Sequence, residues 1–244
     1  MQKVEDYIGV PIFDRTKNKL MLNDTGRELV KNAQYVIDAE MTMKEKTISF
    51  YNQMTNISIG SVAPCPMIKY GNLLYSLFPN KTIFSKIEKA ENLIENVING
   101  VYDFIFLSYP IEHDFLTCEF VFSESLYIAL PKTHFLSGMK DGIHFSEIDG
   151  QSFLVSNNLG IWDAIVAKNL PKSKMFPQSM DNLEELINSS TIPNFSTNTT
   201  LSMRTNNDRV SIPILDDEAT VHFYLVYKTQ NKQKFKNLLK LMKK

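Results

Sequence analysis

The sequence predicts an α/β protein made of two units, and three observations support this. The length of 244 residues fits two domains of ordinary size. Residues 1–56 combine two short alternating strands with one long helical pattern. From residue 57 onward, apolar strands and amphipathic helices alternate, which is typical of parallel βαβ units.

Composition and charge narrow the possible functions. The chain has 26 Lys and Arg residues against 27 Asp and Glu, a formal net charge of −1, so any basic surface must be local. Without an apolar run near eighteen residues or a signal-peptide pattern, we expect a cytoplasmic protein with no membrane partner. Cys65 and Cys118 are too few for a disulfide scaffold or a zinc site, and the four histidines lack metal-ligand spacing. We therefore expect no metal and no cofactor.

The first unit begins with a helix end and a hairpin. "VEDYIG" ends a helix, with Gly9 in the position that favours a left-handed cap. "PIFDR" and "KLMLN" predict two short strands around the polar turn "TKNK". Asn23 or Asp24 then supplies the N-cap of the long helix that follows.

This helix runs through "DTGRELVKNAQYVIDAEMTMKEKTISFYNQ" and would measure about 45 Å at 1.5 Å per residue. Its apolar positions form one stripe, comprising Leu29, Ala33, Val36, Ile37, Met41 and Ile48. Such a helix is too long to be buried in a small module. We therefore expect it to pair with a second copy of the chain, in a homodimer or a homotetramer.

The second unit alternates strands and helices to the end of the chain. The predicted strands are "ISIGSV", "KTIFSKIE", "YDFIFLSY", "LYIALP" (Leu126 to Pro131), "SFLVSNN", "VSIPIL" and "VHFYLVYK". Helices are expected between them, one of them closed by Gly100, while "TIPNFSTNTTLSMRTNN" is left unassigned. The last helix is basic and amphipathic; its apolar face, which we expect to dock on the core, consists of Phe235, Leu238, Leu239 and Met242.

The N-terminal motifs resemble those of LysR-type transcriptional regulators. The family's recognition helix ends in a Leu-Glu…Leu-Gly pattern, and the corresponding residues here are Val4, Glu5, Ile8 and Gly9. An apolar-Phe-x-Arg strand follows, here Ile12, Phe13 and Arg15. The family's Leu-Thr-x-x-Gly start of the linker helix corresponds to Leu22, Asn23 and Gly26, with Asn in place of Thr as an equally good N-cap.

The resemblance implies both an architecture and a function. Residues 1–23 would be the end of a winged helix-turn-helix, residues 24–55 a linker and dimerisation helix, and residues 57–244 an effector-binding domain with a two-lobed fold similar to periplasmic solute-binding proteins. Lobe one would comprise 57–128 with 218–244, and lobe two 129–217. Such a regulator binds DNA and senses a small molecule in the cleft between its lobes. The alternative is a truncated sensor or solute-binding module that lacks DNA binding.

The resemblance begins part-way through the family's DNA-binding module. About two helices and most of the recognition helix have no counterpart in the printed sequence. Reading bases in the major groove requires a complete helix docked on its partner helix. We expect a missed upstream start or a gene fragment, because the wing and linker keep their sequence character.

A basic cluster in the predicted wing is the candidate for DNA contact. Arg15, Lys17 and Lys19 would touch phosphates, with Arg27 and Lys31 behind them. On pattern alone a solvated hairpin is favoured, because acidic residues are interleaved with these bases. The family resemblance favours the wing interpretation.

Polar turns at strand ends are the candidates for effector binding, since ligands of open α/β sheets settle where strands end and helices begin. The candidate residues are Ser61, Ala63, Cys65, Ser108, Ser156, Asn157, Asn158 and Trp162. Capped turns without a ligand are the alternative. Cys65 could be a redox sensor if a helix N-terminus lowered its pKa, but a small buried filler is favoured. The sequence carries no phosphate loop, nucleophile elbow or paired-carboxylate motif, and we expect no enzyme.

Overall fold

The computed structural model describes residues 2–16, 19–139, 141–157, 159–201 and 208–243. The chain divides into two compact units, Met1–Asn56 and Ile57–Lys244.

The first unit is a helix, a hairpin and a long helix. Helix α1 (Gln2–Ile8) ends at Gly9, whose φ of 82° confirms the predicted left-handed cap. Strands β1 (Phe13–Thr16) and β2 (Lys19–Leu22) pair in antiparallel register, with Phe13 opposite Leu22. Helix α2 (Asp24–Thr55) follows directly.

The start of α2 is fixed by two neighbouring residues. Asn23 is the N-cap, and its side-chain oxygen accepts from the Gly26 amide over 2.8 Å. Its side-chain amide donates to the Pro11 carbonyl over 3.1 Å, which ties the helix start to the hairpin. A Cβ on Gly26 would lie 2.2 Å from the carbonyl oxygen of Ile12. Only glycine lets these two backbones approach so closely.

Helix α2 leaves its apolar side chains exposed within its own unit. It is 32 residues long, about 48 Å at 1.5 Å per residue. Val36, Ile37, Met41 and Ile48 of the predicted stripe are each at least half exposed. These side chains are available to a partner.

The second unit joins nine described strands into one mixed sheet. The strands are β3 (Asn56–Ser61), β4 (Thr82–Ile87), β5 (Phe104–Leu107), β6 (Leu116–Pro131), β7 (Ser152–Ser156), β8 (Lys174–Gln178), β9 (Asn194–Thr197), β10 (Arg209–Pro213) and β11 (Thr220–Lys228). The helices are α3 (Cys65–Leu77), α4 (Ala90–Asn99), α5 (Phe145–Ile148), α6 (Trp162–Asn169), α7 (Met180–Ser189) and α8 (Lys232–Met242). Gly100 closes α4 with a φ of 79°, as predicted.

The long strand β6 connects the two halves of this sheet. The strand order is β4-β3-β5-β11-β6-β9-β7-β8, and β10 also pairs with β6. Nine of the first ten residues of β6, all except Val121, pair with β11, antiparallel, and its last six pair with β9 and β10. We call the half built on β3, β4, β5, β11, α3, α4 and α8 the first half-sheet, and the half built on β7 to β10 and α5 to α7 the second half-sheet.

Each half-sheet has its own hydrophobic core. In the first, Phe104, Phe106 and Leu225 pack with Phe235 of α8, and a second layer forms under α4. The second core comprises Leu126, Ile128, Leu130, Phe145, Phe153, Trp162, Val166 and Ile212, among others. Ile161 and Val221 pack against both cores, so the halves meet beside β6.

The structure extends the sequence prediction in three places. The predicted strand Leu126 to Pro131 is only the end of β6, which begins at Leu116. The unassigned segment contains β9, and β8 was not predicted. The terminal helix docks as predicted, with Phe235, Leu238 and Met242 buried.

Candidate functional site

The predicted wing is held by one carboxylate. Glu5 Oε1 accepts from the amides of Ile12 (2.9 Å) and Phe13 (3.2 Å), while Glu5 Oε2 pairs with Arg15 Nη2 at 2.7 Å. The Ile12 hydrogen bond, opposed by burial and aided by Arg15 and Phe13, holds the pKa of Glu5 below its ordinary value of 4.5. Arg15 therefore braces the hairpin, yet its side chain is still 58 % exposed.

The other basic candidates differ in how firmly they are held. Lys19 is exposed on β2, and Lys17 lies outside the described residues. Arg27 pairs with Asp24 and donates to the Leu22 carbonyl over 2.8 Å, so it also supports the hairpin. Lys31 is exposed on α2.

The effector candidates of the first half-sheet are buried. Ser61 donates to the Ala63 carbonyl over 2.6 Å, closing a local turn, and Ser61, Ala63 and Cys65 are all buried. Ser108 is half-buried after β5. None of these four residues lines the cavity described below.

Cys65 is a buried thiol beside a carboxylate. Burial raises the pKa of Cys65 above its ordinary value of 9.0, and the charge of Glu124 raises it further. The lowered pKa that a redox sensor would require is not observed, which favours the predicted buried filler.

Glu124 lies where the two half-sheets meet. This β6 residue is only 3 % exposed. Its carboxylate accepts from Trp162 Nε1 over 3.4 Å and is hydrogen-bonded to the Cys65 thiol. Cys65 and Trp162 are the first residues of α3 and α6, and helix N-termini favour a negative charge. The sequence predicted that the N-termini of α3 and α6 bind a ligand. In the structure, the first residue of each helix contacts the Glu124 carboxylate of the protein itself.

A cavity of about 360 Å³ lies in the second half-sheet. Its apolar wall comes from the sheet and from α6 and α7, and consists of Leu126, Leu154, Val155, Leu159, Trp162, Val166, Leu183, Ile187 and Phe195. Its polar lining consists of Ser156, Glu184, Asn188, Asn194, Ser196, Thr197, Thr200 and Arg209. Of the predicted residues, Ser156 and Trp162 line this cavity. Asn157 is exposed next to Ser156, and Asn158 lies outside the described residues.

Two residues that the sequence did not single out shape this cavity. Arg209 donates to the carbonyls of Ile187 and Ser190 at the C-terminal end of α7, and also to Ala129, Ile192 and the Asn194 side chain. Burial lowers the pKa of Arg209. Ser196 is 8 % exposed, and its hydroxyl has no hydrogen-bond partner. An arginine in the printed sequence gives no hint that it caps a helix, and burial of a serine on β9 is set by tertiary packing.

Metal and membrane sites are not found in the part of the chain that the structure describes. No group of three or more His, Cys, Asp or Glu side chains among those residues could hold a metal ion. No helix within the same residues is long and apolar enough to cross a membrane.

Comparison with curated proteins gives weak but consistent similarity. No protein-family model matches the chain. It is 23 % identical over 159 residues to a hydrogen peroxide-inducible genes activator of Haemophilus influenzae, covering 64 % of this chain and 52 % of that protein. It is 22 % identical over 138 residues to the HTH-type transcriptional regulator CzcR of Bacillus subtilis, covering 52 % and 44 %. These relatives are LysR-type regulators.

The chain is thus similar in sequence to LysR-type regulators. It spans about half the length of the curated relatives that it matches.

Solved structures of low sequence identity share the fold of this chain. Full-length OxyR from Pseudomonas aeruginosa, a variant, superposes with a TM-score of 0.60 at 16 % identity, covering 100 % of this chain and 88 % of that one. Full-length CbnR, solved in complex with its target DNA, gives 0.56 at 14 % identity, covering 99 % and 88 %. The predicted α/β fold, with its partial winged helix-turn-helix, long linker helix and two-lobed domain, is confirmed.

Proposed function

We propose that this chain is a DNA-binding transcriptional regulator of the LysR type, which couples binding of a small-molecule effector to DNA occupancy. The braced hairpin supports the proposal most directly. Glu5 ties α1, the start of β1 and Arg15 together, so the basic side chains of the hairpin are presented on a fixed frame. The related CbnR has been solved on its target DNA.

The wing supplies phosphate contacts in this proposal. Arg15 and Lys19, with Lys17, position the protein on DNA without reading bases. Such contacts release counterions, and the affinity therefore falls steeply with salt.

Helix α2 joins two copies of the chain in this proposal. The exposed apolar side chains of Val36, Ile37, Met41 and Ile48 support it, because a pair of such helices would bury them against each other. The assembly is a homodimer, or a homotetramer formed by two dimers.

Effector sensing belongs to residues 57–244 in this proposal, with lobes at 57–128 plus 218–244 and at 129–217. Coupling requires an effector that prefers one arrangement of the assembly, since equal affinity for both would shift nothing. Ser156 and Trp162 are the predicted effector residues best placed for this role, because they line the cavity.

Fluorescence anisotropy on labelled intergenic DNA from beside the gene tests DNA binding. The chain should be measured both as printed and extended through any in-frame upstream codons. We expect binding whose salt dependence weakens in Lys19→Gln, with the slope of log K against log salt reduced by about 1. Lys172→Gln, an exposed lysine of the other unit, is the matched control and should leave the slope unchanged. Absence of binding by both forms of the chain, or equal slopes for the two variants, would contradict the proposal.

A further inference from the structure

We infer that the cavity of the second half-sheet is a ligand site for a small, uncharged, largely apolar molecule. This deepens the proposed function, since the cavity would hold the effector within one half-sheet. The volume of about 360 Å³ lies in the range of small-molecule sites, about 300–1,000 Å³.

The apolar lining is under-packed. Leu183 and Ile187 of helix α7 line the cavity, yet both are only half-buried. A core of ordinary density would bury these side chains completely, so the space beneath α7 can accept apolar atoms.

The charges around the cavity point to a neutral ligand. Arg209 could attract a carboxylate, but its guanidinium already donates to four carbonyls and to Asn194. On the other side, Trp162 donates to the buried Glu124 carboxylate, and the carboxylate of Glu184 belongs to the lining; both would repel an anion. Because Glu184 is exposed to solvent, a cation inside the cavity would lose its hydration against the apolar wall.

Trp162 is the only tryptophan of the chain and lines the cavity, so its emission reports on occupancy without any label. The full chain is titrated, without DNA, with four probes of similar shape: cyclohexanol, cyclohexane, cyclohexanecarboxylate and cyclohexylammonium. We expect saturable binding of cyclohexanol, tighter than that of either ion.

Variants separate the cavity from the rest of the fold. Ile187→Phe fills the cavity and should weaken cyclohexanol binding about tenfold or more, while Leu186→Phe, on the same helix but outside the lining, should not. Ser196→Ala removes a buried hydroxyl that has no hydrogen-bond partner, so it should fold normally and leave the binding of cyclohexanol and cyclohexane unchanged.

Two results would overturn the inference: no saturable change of Trp162 emission with any probe, or tighter binding of an ion than of cyclohexanol. Equal effects of Ile187→Phe and Leu186→Phe would do the same. Because DNA is absent from this titration, its failure leaves the anisotropy result for DNA binding unaffected, and the reverse also holds.

Discussion

Three residues at the junction of the two half-sheets, Glu124, Cys65 and Trp162, are held by contacts to one another that the surrounding sequence does not predict. Glu124 is a buried carboxylate that accepts hydrogen bonds from Trp162 and the Cys65 thiol, the first residues of two helices, whose N-termini favour a negative charge. Removing one partner of a buried charge generally lowers the stability of the folded protein strongly, because the charge is left buried without compensation. These three side chains therefore act together in joining the half-sheets.

The reactivity of Cys65 follows from the same contacts. Because burial and Glu124 raise its pKa, the thiolate is scarce at neutral pH, and we expect slow alkylation by iodoacetamide at pH 8 in a Cys118→Ala background. The native rate should be at least about 100-fold below the rate in guanidinium, measured by mass spectrometry. Native and denatured rates within tenfold of each other would contradict this expectation.

The raised pKa of Cys65 also makes the stability of the folded protein depend on pH. The folded protein holds the Cys65 proton more tightly than the unfolded chain, which releases it near 9.0. The stabilisation is complete below that pH and is lost as the pH rises above it. In the Cys118→Ala background, the urea midpoint should therefore fall between pH 8 and pH 10 more steeply than in the matching chain with Cys65→Ala.

At the scale of elements, the start of helix α2 is the most tightly built feature of the first unit. Gly26 lies in the first turn of the helix against the Ile12 carbonyl, and Asn23 bonds to both segments. The hairpin and the helix thus depend on one close backbone approach.

Gly26→Ala tests this approach. The added Cβ would lie 2.2 Å from the Ile12 oxygen, so the hairpin must shift. We expect amide hydrogen exchange in residues 12–28 to accelerate about tenfold or more. Gly71→Ala is the matched control, since its Cβ meets nothing within 4 Å inside helix α3; it should stabilise the chain by about 0.5–1 kcal/mol. Unchanged exchange in Gly26→Ala would refute the packing argument.

Local signals explain which elements could be predicted. Gly9, Asn23 and Gly100 act on their own neighbours, and each was predicted and observed. The first part of β6, "LTCEFVFSES", was missed because its polar residues obscure the pattern and because its partner β11 lies about a hundred residues further along the chain. The cavity was missed for the same reason: its wall combines β7, β9, α6 and α7, and no local pattern encodes that meeting.

At the scale of the whole molecule, one chain combines a basic hairpin, a long helix with an exposed apolar stripe and a two-lobed domain. Pairing of two copies of the chain through helix α2 explains the apolar stripe, since side chains such as Val36 (69 % exposed) would otherwise remain in water. The proposed dimer removes that cost.

Ile37→Glu combined with Met41→Glu tests the assembly. Burying two carboxylates per helix in an apolar seam is unfavourable, so we expect the dimer dissociation constant to rise at least about 100-fold, measured by sedimentation velocity. Thr42→Glu, on the opposite side of the helix, should leave the dimer intact. A monomeric parent chain would refute the dimer, and a double variant that stays dimeric would refute the helix α2 seam.

The central claim is that this chain occupies DNA as a symmetric regulator, and a DNase I footprint on the intergenic DNA beside its gene tests it most directly. Using the chain extended through any in-frame upstream codons, we expect two protected half-sites whose centres lie a whole number of helical turns apart, each turn being about 10 base pairs. Protection of no site, or equal protection of unrelated DNA at every salt concentration, would contradict the account.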